Sequence, residues 1–259
     1  MLLAMNSGFR AAACGFAVAL VLCGMSAMAG QVRRPVVVEL YTSQGCASCV
    51  PADALLAKLT KRPDVVPMSL SVTYWDMLGW KDTLASEANT RRQKAYAAQM
   101  GHGAVYTPQI IVDGVSDVVG SREQAVEAAI DTHVREDDME FVPVLLKESG
   151  DTLHIAIGGA WDRSAKTPAT VWMFHLKSQA TVAIGAGENS GHTMTYHNVV
   201  GDLKAVGQWK GDPLNIDLPR SSMEGLPHDG LVVVVQGGGG YGKVMGAAML
   251  NHPAFAPSL

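Results

Sequence analysis

Apolar and polar positions along the chain fall into two regimes that change near residue 138. Residues 35–41, Pro35-Val36-Val37-Val38-Glu39-Leu40-Tyr41, are apolar almost throughout and read as a strand buried on both faces. Ala54, Leu55, Ala57, Lys58 and Leu59 favour a helix shortly after it. A second strand is predicted over 65–72, and the polar, Ala-rich stretch 82–100 reads as a helix. Two short strands, 109–112 and 115–119, flank Asp113-Gly114, the strongest short hairpin signal. Ser121-Arg122-Glu123-Gln124 then has the form of a capping box, opening a last helix through Val126, Ala129 and Ile130. The predicted order is strand, helix, strand, helix, hairpin, helix.

Beyond Glu136-Asp137-Asp138 the pattern becomes short alternating strands at 142–147, 153–157, 170–176, 193–200 and 231–235. Such spacing argues for an antiparallel, sandwich-like or barrel-like second domain. The fold class expected is therefore an α/β domain over 30–138 followed by a smaller, mainly antiparallel β domain over 139–259. Gly237-Gly238-Gly239-Gly240-Tyr241-Gly242-Lys243 superficially fits a phosphate-cradling G-x-x-x-x-G-K loop. Val244 stands where a magnesium-holding hydroxyl would be needed, and another strand follows, so a glycine-rich hairpin is the preferred reading.

The first residues change how the cysteines are counted. Arg10 precedes an apolar run over 11–23, and small residues ending in Ala27-Met28-Ala29 follow, the order of a cleavable secretory signal. Cleavage after Ala29 makes 1–29 a signal peptide and the mature chain exported, periplasmic or secreted. A retained anchor would need about 20 apolar residues, more than this run has, and lipoprotein processing at Cys23 would want a smaller residue than Leu22. Cys14 and Cys23 leave with the signal, so only Cys46 and Cys49 remain. A bridge between positions three apart closes a tiny loop that stabilises little, which favours chemistry over stapling. The net charge of −4 shows no basic excess, so nucleic acid and anionic membrane surfaces are not expected partners.

Cys46-Ala47-Ser48-Cys49 follows the first strand and sits where a helix begins. Free backbone N–H groups and the helix dipole there favour a thiolate. Thiols in such places are depressed from about 8.5 to roughly 3.5–7.5, so Cys46 is read as the nucleophile. Cys49, one turn on, is read as the resolving thiol that attacks the mixed disulfide on Cys46. A structural zinc site needs about four ligands, and the mature chain has no further cysteine to offer.

The strand before this Cys-x-x-Cys and Tyr106-Thr107-Pro108-Gln109 ahead of a hairpin resemble the thioredoxin superfamily. That resemblance implies a cis Pro108 lying against the active-site disulfide and a Thr107 whose backbone pairs with a substrate strand. Val38-Glu39-Leu40-Tyr41-Thr42-Ser43-Gln44-Gly45-Cys46, Pro51-Ala52-Asp53, Tyr74-Trp75-Asp76 with Gly79-Trp80, and Tyr106-Thr107-Pro108-Gln109 together resemble the DUF1223 family of bacterial exported thioredoxin-like proteins. The resemblance continues through Glu188-Asn189-Ser190-Gly191 and Tyr196-His197-Asn198-Val199-Val200. It implies a thioredoxin-like domain over 30–138. Two departures stand out: Ala47-Ser48 contains neither proline nor histidine, and Gly45 replaces the aromatic residue thioredoxin has before its first cysteine, which predicts a less covered approach to Cys46.

Glu39 interrupts an apolar strand and has two readings. Resemblance implies a buried acid relaying protons for the resolving thiol, although the match needs one extra residue between Glu39 and Cys46; the alternative is a structural carboxylate hydrogen-bonded at the sheet edge. Trp75, Asp76 and Trp80 pack in the core or line a substrate groove, Trp75 being the binding candidate. His102 approaches the cysteines or is a solvated loop histidine. His192 and His197, five apart on a strand, face opposite sides and make a poor ligand pair.

Three functions compete. The first is an exported thiol-disulfide oxidoreductase acting on cysteine-containing proteins or a redox partner, with no bound cofactor or resident metal, no membrane span after signal removal, and a homodimer left open. The second is a copper-binding or metallochaperone role for the reduced cysteine pair. The third is a non-catalytic binding module with an inert disulfide.

Overall fold

The computed structural model describes residues 34–135, 141–160, 168–219 and 229–250. The expected signal segment and residue 138 lie outside these. β1 (Val36–Thr42) is buried along its whole length, as its apolar run requires, and pairs in parallel with β2 (Val65–Ser71). Its other edge pairs antiparallel with β3 (Gln109–Val112), which turns through Asp113-Gly114 into β4 (Ser116–Val119). Asp113 and Gly114 are both left-handed, with φ of 49° and 74°, in a three-residue connection that also takes in Val115, so β4 starts one residue later than expected. Gly114 has a second reason to be glycine: a Cβ there would stand 2.1 Å from the Gly242 carbonyl oxygen.

The pleat of β1 divides the helices. Val36, Val38 and Leu40 face α1 (Val50–Leu59) and α3 (Glu123–Arg135), where they pack with Leu55, Leu56, Val126 and Ile130. Val37 and Tyr41 face the opposite side and share a core with Tyr96 of α2 (Glu87–Gln99). The helix expected from residue 82 starts five residues later. Ser86 caps it by accepting from the Asn89 N–H, while the Asp82 carboxylate instead accepts from the Gln44 and Leu84 N–H groups.

In the second half, β5 (Val144–Ser149), β6 (Thr152–Ile157) and β9 (Leu214–Pro219) form a three-stranded antiparallel sheet. β7 (Ala169–Ala183), β8 (Thr193–Trp209), β10 (Gly230–Gln236) and β11 (Val244–Met249) join the first half. Because β8 meets β2 at Val199 and Ser69, one eight-stranded mixed sheet runs β11-β10-β7-β8-β2-β1-β3-β4. Strands from both sides of residue 138 thus share a sheet, and the described residues fall in one compact unit. A sandwich does form locally: Val144, Leu153 and Ile155 of the small sheet share a core with Val171, Met173 and Val233 of the large one. The glycine-rich segment is a hairpin connection, with a short 3-10 turn at Gly238–Gly240 between β10 and β11.

A buried charge cluster fastens the halves together. Glu39 of β1 and Arg92 of α2 are each about 1% exposed and bond in a bidentate pair at 2.6 and 2.8 Å. The Tyr41 and Tyr96 hydroxyls donate to the same carboxylate at 2.9 and 2.6 Å. Arg92 also donates to Gln236 of β10 at 2.8 Å, and its guanidinium lies 5.0 Å from the Phe174 ring and 5.3 Å from the Trp172 ring, both on β7. Burial disfavours the guanidinium charge, but Glu39 and the tyrosines outweigh it and hold the Arg92 pKa above its ordinary value. Removing one partner of such a pair strands the other charge. Arg92→Met is expected to cost about 3–5 kcal/mol in urea unfolding, and adding Glu39→Gln to recover part of that loss; an Arg92→Met loss under about 1 kcal/mol would contradict this role.

Candidate redox site

At the C-terminal end of β1 the chain turns sharply. The Cys46 N–H donates to the Ser43 carbonyl at 3.1 Å, and Cys46 itself is extended (φ −103°, ψ 105°) before the 3-10 turn Ala47–Cys49 feeds into α1. Pro51 in the first turn of α1 is tolerated because no intrahelical partner awaits its missing N–H. Cys46 and Cys49 are joined as a disulfide, S–S 2.10 Å and Cα–Cα 5.4 Å. Both are fully buried, whereas Ala47 and Ser48 between them are exposed.

The Cys46 sulfur receives a polar contact from the loop before β3. Thr107–Pro108 is a cis bond, and the Thr107 hydroxyl donates to Cys46 Sγ at 3.4 Å. The Trp75 indole N–H donates to that hydroxyl at 2.8 Å, and the Trp75 side chain stands against Gly45. Trp75 therefore belongs to the site as the group that aims Thr107. Pro108 is anchored by the Gly120 N–H on its carbonyl at 2.9 Å, and Gln93 of α2 donates to the Tyr106 carbonyl at 2.8 Å.

The open approach predicted from Gly45 is not found. β7 and β8 run past the end of β10, and the loop 184–192 at their tip reaches over the cysteines. Asn189 donates to the Gln44 carbonyl at 2.9 Å, and Glu188 accepts from the Ala47 N–H at 2.9 Å. Gly185 and Gly187 allow this approach: a Cβ on Gly185 would meet the Trp80 ring at 3.0 Å, and Gly187 has φ of 78°. Trp80 is held in turn by its N–H on Gln44 Oε1 at 2.8 Å. The cover comes from a segment distant in sequence, 141 residues separating Ala47 from Glu188. The Glu188 contact occupies the first backbone N–H after Cys46, a donor that would otherwise favour a thiolate there.

Glu39 does not join the site. On a pleated strand a one-residue shift reverses the face, and Glu39 points to the α2 side with all its bonds made to Arg92, Tyr41 and Tyr96. Glu39 is thus a structural carboxylate, though on an interior strand between β2 and β3 rather than at the sheet edge, and the proton-relay reading loses its geometric basis. His102 bonds Asp117 at 2.9 Å rather than turning to the cysteines. His192 contacts the Asn189 carbonyl within the covering loop, while His197 lies opposite Gln179 on β8. A buried acid does lie on the cysteine side of the sheet. Asp53, 6% exposed, accepts from the Thr42 hydroxyl at 3.1 Å, and burial, with a smaller push from Asp82, raises its pKa to about 8. Asp82 is raised as well, chiefly by burial. In the sequence Asp53, Glu188 and Asn189 stand only within motifs, and no local signal marks them for a role.

A family model described as a protein of unknown function, DUF1223, matches residues 37–236. The chain belongs to the DUF1223 family. Protein AGR_C_4864 from Agrobacterium tumefaciens, known from its crystal structure, is 37% identical over 83% of this chain and 93% of its own, with a TM-score of 0.73. HBP35 of Porphyromonas gingivalis shares the fold at 13% identity and a TM-score of 0.57, covering 84% of this chain and 74% of its own. No curated protein matches the sequence. In this DUF1223 chain the family match spans the strand before the cysteines and the covering loop alike.

The folded chain prefers Asp53 neutral, with a pKa of about 8 against about 4 when unfolded. Its contribution to stability is therefore complete below about pH 4 and lost as pH rises through about 8. Asp53→Asn should be stabilised relative to wild type increasingly from pH 5 to 9 in urea unfolding; a gap that narrows with pH would contradict this. Glu188→Gln should speed alkylation of reduced Cys46 at neutral pH by about two- to five-fold, because a negative charge leaves the helix start. Slower alkylation in that variant would refute the assignment.

Proposed function

We propose that the protein is an exported thiol-disulfide oxidoreductase with a thioredoxin-like first half, acting on cysteines of other proteins. The observation that carries the reading is the Cys46–Cys49 disulfide at the start of α1 with the Thr107 hydroxyl on the Cys46 sulfur. A hydroxyl donating to that sulfur, itself held by Trp75, favours the thiolate once the bridge is opened. Further support comes from the parallel β1–β2 pair, the β3–β4 hairpin and the cis Pro108 beside the cysteines. The charge, apolar run and small residues of 1–29 support export to an oxidising compartment, where a cysteine pair three positions apart can cycle.

In this reading Cys46 attacks a substrate disulfide to form a mixed disulfide, and Cys49 then attacks the Cys46 sulfur and releases the substrate thiol; oxidation runs the same steps backwards. Thr107 presents its backbone to an extended substrate segment, and Trp75 borders that segment. The loop 184–192 must lift for a protein substrate to reach a sulfur with no exposed surface. The strands after residue 138 thereby serve the site as its cover and as the surface that selects what enters.

Cys49→Ala leaves Cys46 without its resolving partner. Incubation with a model protein disulfide should yield a covalent adduct through Cys46 that a reductant releases and that the Cys46→Ala, Cys49→Ala chain does not form. Failure of the Cys49→Ala chain to form any adduct would refute the proposal.

A further inference from the structure

The loop 184–192, Ile184-Gly185-Ala186-Gly187-Glu188-Asn189-Ser190-Gly191-His192, carries one carboxylate, and that carboxylate is spent on a backbone N–H beside the cysteines. Its shape is its own. The Ile184 N–H donates to the His192 carbonyl at 2.9 Å, the Gly191 N–H to the Ile184 carbonyl at 2.8 Å, and the Ser190 N–H to the Gly187 carbonyl at 3.2 Å. Among the described residues two hydrogen bonds tie the loop to the cysteine turn, Asn189 to Gln44 and Glu188 to Ala47, while Gly185 and Gly187 rest on Trp80. Single hydrogen bonds exchanged with water contribute little net, so the cover is lightly held.

The strands that carry the loop can bend. β10 pairs with β7 only as far as Leu176, and β2 meets β8 only at Val199. Past these points β7 and β8 run on as a two-stranded ribbon to Ala183 and Thr193, with a register shift between His175 and Leu176 at its base. Two strands alone hold little rigidity, and a bulge is where such a ribbon flexes. Ala180, Tyr196 and Val199 pack the ribbon with Leu84, which leaves its tip to the two hydrogen bonds and Trp80.

What the tip meets depends on the state of Cys46. In the disulfide the sulfur is neutral, and the Ala47 N–H serves the Glu188 carboxylate. Reduction puts a thiolate one residue before that N–H, where the helix start and the Thr107 hydroxyl favour it. Thiolate and carboxylate then compete for one donor and repel each other. Cys46 is fixed in the chain, whereas Glu188 is exposed on a movable loop and keeps its charge in water when it swings away.

We propose that the loop 184–192 is a latch set by the cysteine pair, closed on the disulfide and released by the thiolate, so that the protein partner admitted to the site is one that carries a disulfide. This rests on the thiol-disulfide reading of the site. In the open, reduced chain Cys46 Sγ bonds to one partner sulfur as the partner's S–S bond breaks, and Cys49 then bonds to Cys46 Sγ as that mixed bond breaks. The pair gives up two electrons and the partner disulfide gains them; the Cys49 proton goes to solvent, from which the two partner thiolates are protonated. The new disulfide re-forms the latch, which hides the Cys46 sulfur from the partner's thiols and slows the return reaction. A dithiol reductant restores the pair. Closure on the oxidised form alone also stabilises that form, which lowers the reduction potential and sets the chain to donate electrons.

Asn189→Ala removes one latch bond without touching a charge. It should speed the reaction of the oxidised chain with a reduced model protein about ten times more than it speeds the reaction of the reduced chain with the same protein oxidised. Its equilibrium with glutathione should shift about tenfold toward the reduced chain, or about 30 mV in potential. Glu188→Ala should shift it the same way, and the double variant by less than the product of the two shifts, because each releases the same loop. In the wild-type chain, amide exchange over 44–47 and 184–192, read by mass spectrometry, should be faster in the reduced than in the oxidised protein, the difference shrinking in about 1 M salt. An Asn189→Ala chain whose two rates change alike, with its equilibrium within about twofold of wild type, would overturn the proposal and leave the thiol-disulfide reading intact. Equal exchange in the two states would do the same. A wild-type pair that equilibrates with neither glutathione nor dithiothreitol would overturn both.

Discussion

The bidentate pair between Glu39 and Arg92 is the constraint on which the rest of the structure depends. It places a carboxylate in the middle of β1 and a guanidinium in the middle of α2, both out of water. Neither is tolerable without the other. Arg92 is also the point where β7 and β10 are tied on, through Trp172, Phe174 and Gln236. The two charges pair within the first half of the chain, but strands that come after residue 138 take up the remaining contacts of the guanidinium. Those strands include β7 and β8, whose overhanging ends carry the loop that closes over Cys46.

Cover and reactivity are coupled at that sulfur. Thr107, aimed by Trp75, donates to it and favours a thiolate. Glu188 occupies the adjoining N–H and adds a negative charge, which opposes one. On the proposed reading, lifting the loop would expose the sulfur and remove Glu188 in the same motion, so access and activation would rise together. The fit of the loop needs Gly185 against the Trp80 ring and a left-handed Gly187 beside it.

Much of this was readable from local pattern. The β1 run, the Asp113-Gly114 hairpin and the cysteine turn are set by short-range chemistry, and the strands of the second half were found, with the exception of β9. What escaped the sequence was non-local. α2 is a polar helix that nonetheless buries Asn89, Arg92 and Gln93, since its burial comes from partners across the chain rather than from an apolar stripe. The neighbourhood of Glu39 in sequence suits a proton role; a single step of the pleat puts it on the far face. Asp53 carried no such signal, since an acid in a first helical turn is ordinary until its burial is known. The covering loop reads as a turn-rich segment, and nothing in its local sequence says that it lies on residues 44–47.

We take Cys46–Cys49 to be a working redox centre rather than a sealed crosslink. Its reduction potential tests this most directly, measured on the full chain by equilibration with glutathione or dithiothreitol buffers and trapping of free thiols. A redox role predicts a value within the range of thiol-disulfide catalysts, about −270 to −120 mV. A value below about −300 mV, where structural disulfides lie, would contradict it.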